Sequence, residues 1–151
     1  MTAARLIGVT DLYMATNPDA AALQGAAARA FGVPIAQVMV ASFRDPKPYA
    51  PDLQVWLQFR ADDVPGDLPI RYAQAVSLSL VSAVGEANRH MAVSLGMPIV
   101  SDDDDAVDPL IYLPDGSVTQ RPLVPVQEDG YRLPSDLRRL LVPPARPSRA
   151  A

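Results

Sequence analysis

Residues 70–95 read IRYAQAVSLSLVSAVGEANRHMAVSL, and how many elements they form sets the layers the chain can build. Tyr72, Val76, Leu80 and Val84 recur every fourth residue, joined by Ala73, Ala83, Ala87, Met91 and Leu95. Residues three and four apart share one helix face, so this spacing predicts a single helix from Ile70 to Leu95, with Gly85 as the point where it can bend. At about 1.5 Å per residue it would reach roughly 40 Å, enough to cross the back of a small sheet. Asp67 is the expected cap, with Pro69 in the first turn, and Gly96 and Pro98 mark the end. Arg71, Gln74, Ser82, Glu86 and Arg89 fall on the opposite side.

Working outward, LQVWLQFR (53–60) carries the most regular strand signal. Leu53, Val55, Leu57 and Phe59 alternate with Gln54, Trp56, Gln58 and Arg60, which puts Trp56 on the less apolar face. RDPKPYAPD (44–52) holds three prolines and reads as a constrained hairpin loop joining this strand to Val38–Phe43. The alanine-rich run to Phe31 predicts a helix capped by Asn17 with Pro18 in its first position, stopped by Gly32 and Pro34. Arg5–Val9 is a short strand, PIAQ (34–37) a single helical turn, and Pro98–Val100 a short edge strand. Around PDGS (114–117) the segments Leu110–Leu113 and Ser117–Leu123 form a hairpin, and Ser135 caps a short last helix, DLRRLL.

The resulting order is strand, helix, strand, strand, long helix, strand, followed by a C-terminal hairpin and short helix. It predicts an α+β fold: a split βαβ, ferredoxin-like, antiparallel sheet with a long second helix. Residues 1–142 are expected to make one α+β domain, and 143–151 a flexible tail rich in Pro and Arg.

Composition narrows the chemistry. The chain has 151 residues, no cysteine and a single histidine, His90. A disulfide framework, a thiolate nucleophile, a cysteine-held zinc and any site needing two histidines from one chain are therefore excluded. The net charge of −4 opposes general attraction to nucleic acid or anionic lipid, and the first residues lack the apolar run of a signal peptide, so the expected setting is cytoplasmic, with no membrane or nucleic-acid partner. Charge is uneven. Residues 101–131 carry eight acids and one base, and residues 132–151 one acid and five bases.

No phosphate-binding glycine motif and no nucleophile-elbow serine is present. Glu86 and His90, four apart, can meet on one helix face, but no sequence element supplies a nucleophile beside them, so no catalytic residue is assigned. Four consecutive aspartates do not reproduce the spaced ligands of a calcium loop; the run is expected to be a solvated loop, and neither a metal nor a cofactor is assigned.

Two functional expectations remain. The first is a noncatalytic module for homodimerisation or for binding another protein, including the inhibitor or immunity type that neutralises a basic partner. Trp56, with Gln54, Gln58 and Arg60, supplies its contact row, and Asp102, Asp103, Asp104 and Asp105 orient the partner by charge. The second is a small-molecule-binding protein or enzyme with a pocket between the long helix and the sheet, using Arg71, Tyr72, Glu86, Arg89 and His90.

Overall fold

A computed structural model describes residues 6–42, 52–102, 108–126 and 130–141. In chain order these form β1 (Leu6–Met14), α1 (Ala20–Phe31), β2 (Val38–Ser42), β3 (Val55–Ala61), β4 (Ile70–Ser77), α2 (Val84–Leu95), β5 (Ile99–Asp102), β6 (Leu110–Tyr112), β7 (Val118–Gln120), β8 (Val124–Val126), β9 (Gly130–Arg132) and α3 (Ser135–Arg138). Short 3-10 turns occupy Ile35–Gln37, Leu78–Ala83 and Arg139–Leu141. The architecture is mixed α+β. Seven strands form one sheet in the order β2-β3-β4-β1-β5-β6-β7, and β8 pairs with β9 in a second, two-stranded sheet.

The expected long helix is the main correction. Residues 70–77 are a strand, 78–83 a 3-10 segment, and only 84–95 an α-helix. Ile70, Tyr72, Gln74 and Val76 are all buried and Arg71, Ala73 and Ala75 are half-buried, the alternation of a strand with one covered face. A repeat of four residues is two strand periods as well as about one helical turn, so the apolar spacing fits both.

The sheet is also not wholly antiparallel. Val38 to Ser42 run parallel to Val55 to Phe59, so the chain between them returns to the starting end of the strand and is not a hairpin loop. Residues 43–51, which hold most of the proline-rich segment, lie outside the described residues, as do 1–5 and 142–151. Pro98–Val100 was expected at an edge, yet β5 lies inside the sheet, between β1 and β6. The first strand runs well past Val9, because Asp11 points away from the helices and is neutralised by Arg71 at 2.6 Å. The strand after PDGS ends at Gln120, and the β8–β9 hairpin was not expected.

Helix α1 starts two residues later than expected. Asn17 accepts the Tyr72 hydroxyl at 2.7 Å, and Asp19 is the cap, its carboxylate taking the Ala22 N–H at 3.3 Å. Both long helices stop on a glycine in the left-handed region, Gly32 at φ +69° and Gly96 at φ +68°. The last helix is a single turn whose cap position is Pro134, so Ser135 is its first residue and not its cap.

Helices α1 and α2 pack against each other and on one face of the sheet. Leu23, Ala26, Ala27 and Phe31 of α1 and Ala87, Met91 and Ala92 of α2 join Leu12, Met14, Val55, Leu57, Tyr72, Val76 and Ile99 in one buried core. Among the described residues the other face is covered only in part. Tyr13, Val100 and Ile111 form a second core with Val64, Leu68, Leu123, Leu133 and Leu137, so the C-terminal segment shields β1, β5 and β6.

That C-terminal layer is clipped to the turn after β3. Gly66 bridges Tyr131, Asp67 N–H donates to the Tyr131 carbonyl at 2.9 Å, and the Asp67 carboxylate accepts Leu133 N–H at 2.9 Å and Arg138 Nε at 3.2 Å. The backbones approach so closely that a Cβ at Gly66, already at φ +103°, would strike the Tyr131 carbonyl, and one at Gly130 the Pro65 carbonyl. Asp67 therefore serves this clip; it caps no helix.

Candidate interaction surface

Strand register defines the sheet face opposite α1 and α2. Met39 lies beside Trp56 and Trp56 beside Ala75; Ala41 lies beside Gln58 and Gln58 beside Ala73; Gly8 lies beside Ala75 and Asp11 beside Ala73. Among these, none belongs to either buried core. Trp56 is half-buried on the face the alternation assigned to it, its indole nitrogen is buried, and it belongs to neither core cluster. A bulky ridge of Met39 and Trp56 thus adjoins a shallow floor of Gly8, Ala73 and Ala75, with Gln58 standing between Ala73 and Ala41.

The remaining members of the expected row divide. Gln58 and Arg60 share the face, with Arg60 Nη1 donating to Gln58 Oε1 at 3.0 Å, and Arg60 is exposed at a bulge where the β3–β4 register shifts. Gln54 does not contribute. It precedes β3 and is tied inward: its Oε1 accepts Ser77 Oγ–H at 2.6 Å, its N–H donates to Gln37 and its carbonyl accepts Ser77 N–H.

Asp102 was read as the start of a solvated run, but it closes β5 opposite Asp11 and accepts the Tyr131 hydroxyl. Like charges directly opposed across strands repel. Arg71 on Asp11 and the Tyr131 phenol on Asp102 relieve that repulsion, while Tyr13 packs edge-on to Tyr131 and Arg71 lies 5.9 Å over the Tyr13 ring. This cluster marks the border between the covered and open halves of the face. Asp103, Asp104 and Asp105 lie outside the described residues.

The five residues expected to line the alternative pocket do not come together. Arg71 faces away from the helices, whereas Tyr72 points into the core, its hydroxyl on Asn17 and its ionisation pushed up by burial. Glu86, Arg89 and His90 do meet on α2, but on its solvent side. Arg89 Nη2 lies 2.5 Å and His90 Nε2 3.3 Å from Glu86 Oε1, and Arg89 also reaches the Gly116 carbonyl at 3.3 Å. The Arg89 hydrogen bond, then its charge and that of His90, hold the Glu86 carboxyl below its ordinary range. This is an exposed ion pair on a helix surface, the kind of pair that contributes little.

Sequence reasoning missed a buried polar group between α2 and the sheet. Gln74 and Asn88 exchange amide bonds, Gln74 Nε2 to Asn88 Oδ1 at 2.7 Å and Asn88 Nδ2 to Gln74 Oε1 at 3.2 Å, and Asn88 also hydrogen-bonds Tyr112. Thr10 and Ser101 hydroxyls lie 2.8 Å apart on the same face. Gln74, in a stretch read as helix, was counted with the solvent side; only a partner fourteen residues on makes its burial tolerable. Among the described residues no group of three or more His, Cys, Asp or Glu side chains could hold a metal ion, and no helix is long and apolar enough to cross a membrane.

Set against known proteins, the chain matches no family model, no curated protein and no solved structure. The functional reading therefore stands on the geometry alone.

Proposed function

We propose that this chain is a noncatalytic binding protein that associates through the open half of its sheet, with a second copy of itself as the partner. The observation that carries the proposal is the face of β2, β3 and β4 that joins neither core among the described residues, where a Trp56–Met39 ridge stands beside a floor of Gly8, Ala73 and Ala75. A two-fold axis brings the same patch of each copy together, so ridge and floor must fit each other. Here they do in outline: one copy's indole has a trough of small side chains to enter. Sheets stacked face to face sit about 10 Å apart, a spacing a tryptophan can fill. The cytoplasmic setting and the absence of membrane and nucleic-acid partners belong to the same proposal, on the sequence grounds above.

The proposal extends to topology. β3-β4-β1-β5, with α1 between β1 and β3 and α2 between β4 and β5, has each helical connection skip one strand. This order supports reading the centre as a split βαβ, ferredoxin-like unit, to which β2, β6 and β7 are added at the edges.

Sedimentation velocity at about 10 to 100 µM tests the association. The native chain is expected to dimerise. Trp56→Ala is expected to weaken the dimer by at least about 2 kcal/mol, roughly thirtyfold, as for a central aromatic anchor. Ala75→Arg, which fills the trough on an outward-facing strand position, is expected to give a monomer. A native chain that stays monomeric, or a dimer indifferent to both substitutions, overturns the proposal; capture of a basic foreign protein that needs Trp56 would replace the second copy by that partner.

A further inference from the structure

Beneath the first turn of α2 the sheet is not fully packed. A cavity of about 290 Å³ lies between Val81 and Val84 on the helical side and Thr10, Ser101, Leu110 and Tyr112 on the sheet side. Its walls carry hydroxyls from three strands and otherwise hydrocarbon, with no charged side chain. Ser101 is only 7% exposed. Thr10 Oγ1 donates to the Asp11 carbonyl at 3.2 Å and stands 2.8 Å from Ser101 Oγ. Thr10 has a single proton: given to the Asp11 carbonyl, it leaves Ser101 to donate to Thr10 and to keep lone pairs for an incoming donor; turned to Ser101 instead, it leaves the Ser101 proton for an incoming acceptor.

Two backbone features surround the space. The β1–β4 register shifts between Gly8 and Thr10, placing Val9 at an irregularity on the cavity wall. Gly85 sits in the first turn of α2, where glycine weakens a helix relative to alanine. A Cβ there would meet only the Tyr112 hydroxyl, at 3.9 Å, an ordinary contact. Packing therefore does not demand glycine; what its absent side chain preserves is room beside the phenol. Ile7, Leu78 and Val81, three exposed large apolar side chains, lie on the two segments that edge this opening.

We infer that this cavity binds a small uncharged molecule with a compact apolar body and a single hydroxyl or carbonyl group, the polar group meeting Ser101 and the Tyr112 phenol and the body lying against Val81, Val84 and Leu110. A charged ligand would lose its hydration with no counter-charge in the wall. The volume lies at the lower end of small-molecule pockets, which limits the ligand to roughly ten heavy atoms. This site is on the helix-covered side of the sheet and does not depend on the association proposed above.

The test is a heteronuclear NMR titration of the full chain with cyclohexanol, cyclohexanone and benzyl alcohol, and with cyclohexanecarboxylate as the charged counterpart. Saturable shifts are expected at Thr10, Gly85, Ser101 and Tyr112 for the neutral probes, with the carboxylate at least about tenfold weaker. Ser101→Ala is expected to weaken binding about fivefold or more, and Gly85→Leu, which fills the space from the helix, to abolish it. Should the leucine variant fail to fold, Gly85→Ala gives the same answer as a partial loss in a helix of higher propensity. Trp56→Ala is expected to bind the probes as the native chain does. No saturable shift at these four residues, equal binding of the carboxylate, or unchanged binding by Ser101→Ala and the Gly85 variants would overturn the inference.

Discussion

Replacing Asn88 by leucine strands the amide of Gln74 in the interior. Both side chains are buried, at 0% and 1% exposure, and they share two hydrogen bonds of 2.7 and 3.2 Å. Each neutral bond contributes about 1 kcal/mol net, and a buried amide left without partners costs about 1–3 kcal/mol more. The hydrocarbon gained by leucine offsets about 1–2 kcal/mol. Asn88→Leu should therefore destabilise by about 3 kcal/mol, a fall in Tm of roughly 6–12 °C for a chain of this size. Gln74→Met should cost about 2 kcal/mol, less because Asn88 keeps its bond to Tyr112. With both changed, no amide is stranded, and the double variant should lose only about 2 kcal/mol in all, a coupling of about 3 kcal/mol between the two sites. Urea unfolding followed by fluorescence of Trp56, the one tryptophan in the chain, and by far-ultraviolet circular dichroism gives all four free energies. Costs that add to within about 0.5 kcal/mol, or a loss below about 1 kcal/mol for Asn88→Leu, would mean that water reaches these amides and that the pair does not hold α2 to β4.

Gly130→Ala should cost about 3 kcal/mol or more, because the new methyl group strikes the Pro65 carbonyl; hydrogen exchange should show β8 and β9 losing protection before β1 and β4, and an unchanged melt would refute the clip. Asp115 accepts the hydroxyl and N–H of Ser117, which hold its carboxyl below the ordinary range, so its contribution to stability is present above the ordinary carboxylate pKa and is lost as pH falls through the lowered value. Ser117→Ala should raise that pKa, read from the carboxyl carbon shift during acid titration; no movement would refute the assignment. Burial pushes the Tyr72 and Tyr112 phenols upward, so stability should be intact below about pH 10 and fall as pH climbs through their raised values. Tyr72→Phe with Tyr112→Phe should flatten that alkaline decline in chemical unfolding, and an unaltered slope would count against it.

How much was legible depended on whether a signal was local. Helix α1 was readable because alanines, Gly32 and Pro34 act on their own neighbourhood, and β3 because its apolar and polar residues alternate cleanly. Strand β4 was hidden by an inversion of the usual pattern. A polar residue, Gln74, occupies its buried row, while two alanines occupy the open one. Burial of Gln74 is tolerable only through Asn88, on another element, and no local pattern reports such a partner. Asp102 misled for the same reason: its neighbours in sequence are acids, but its neighbours in space are Tyr131 and, beyond Asp11, Arg71. Trp56 was placed on the correct face by alternation alone, whereas the cavity draws its hydroxyls from β1, β5 and β6, which only the completed sheet brings together.

The position of β1 has a consequence for how the molecule is made. The first described strand is paired on both sides, Asp11 standing between Ala73 and Asp102. At about 5–20 residues per second, a ribosome needs roughly 5–20 s to supply the second of those partners after the first strand is translated. Until β4 is translated, Leu12 and Met14, fully buried in the finished sheet, have no ladder to join, and until β5 follows they have only one. Such distant pairings slow folding, because loop closure must precede any gain from contact. Slowed translation between residues 73 and 102 should therefore prolong chaperone dependence more than the same delay after residue 112, when the central ladder is complete.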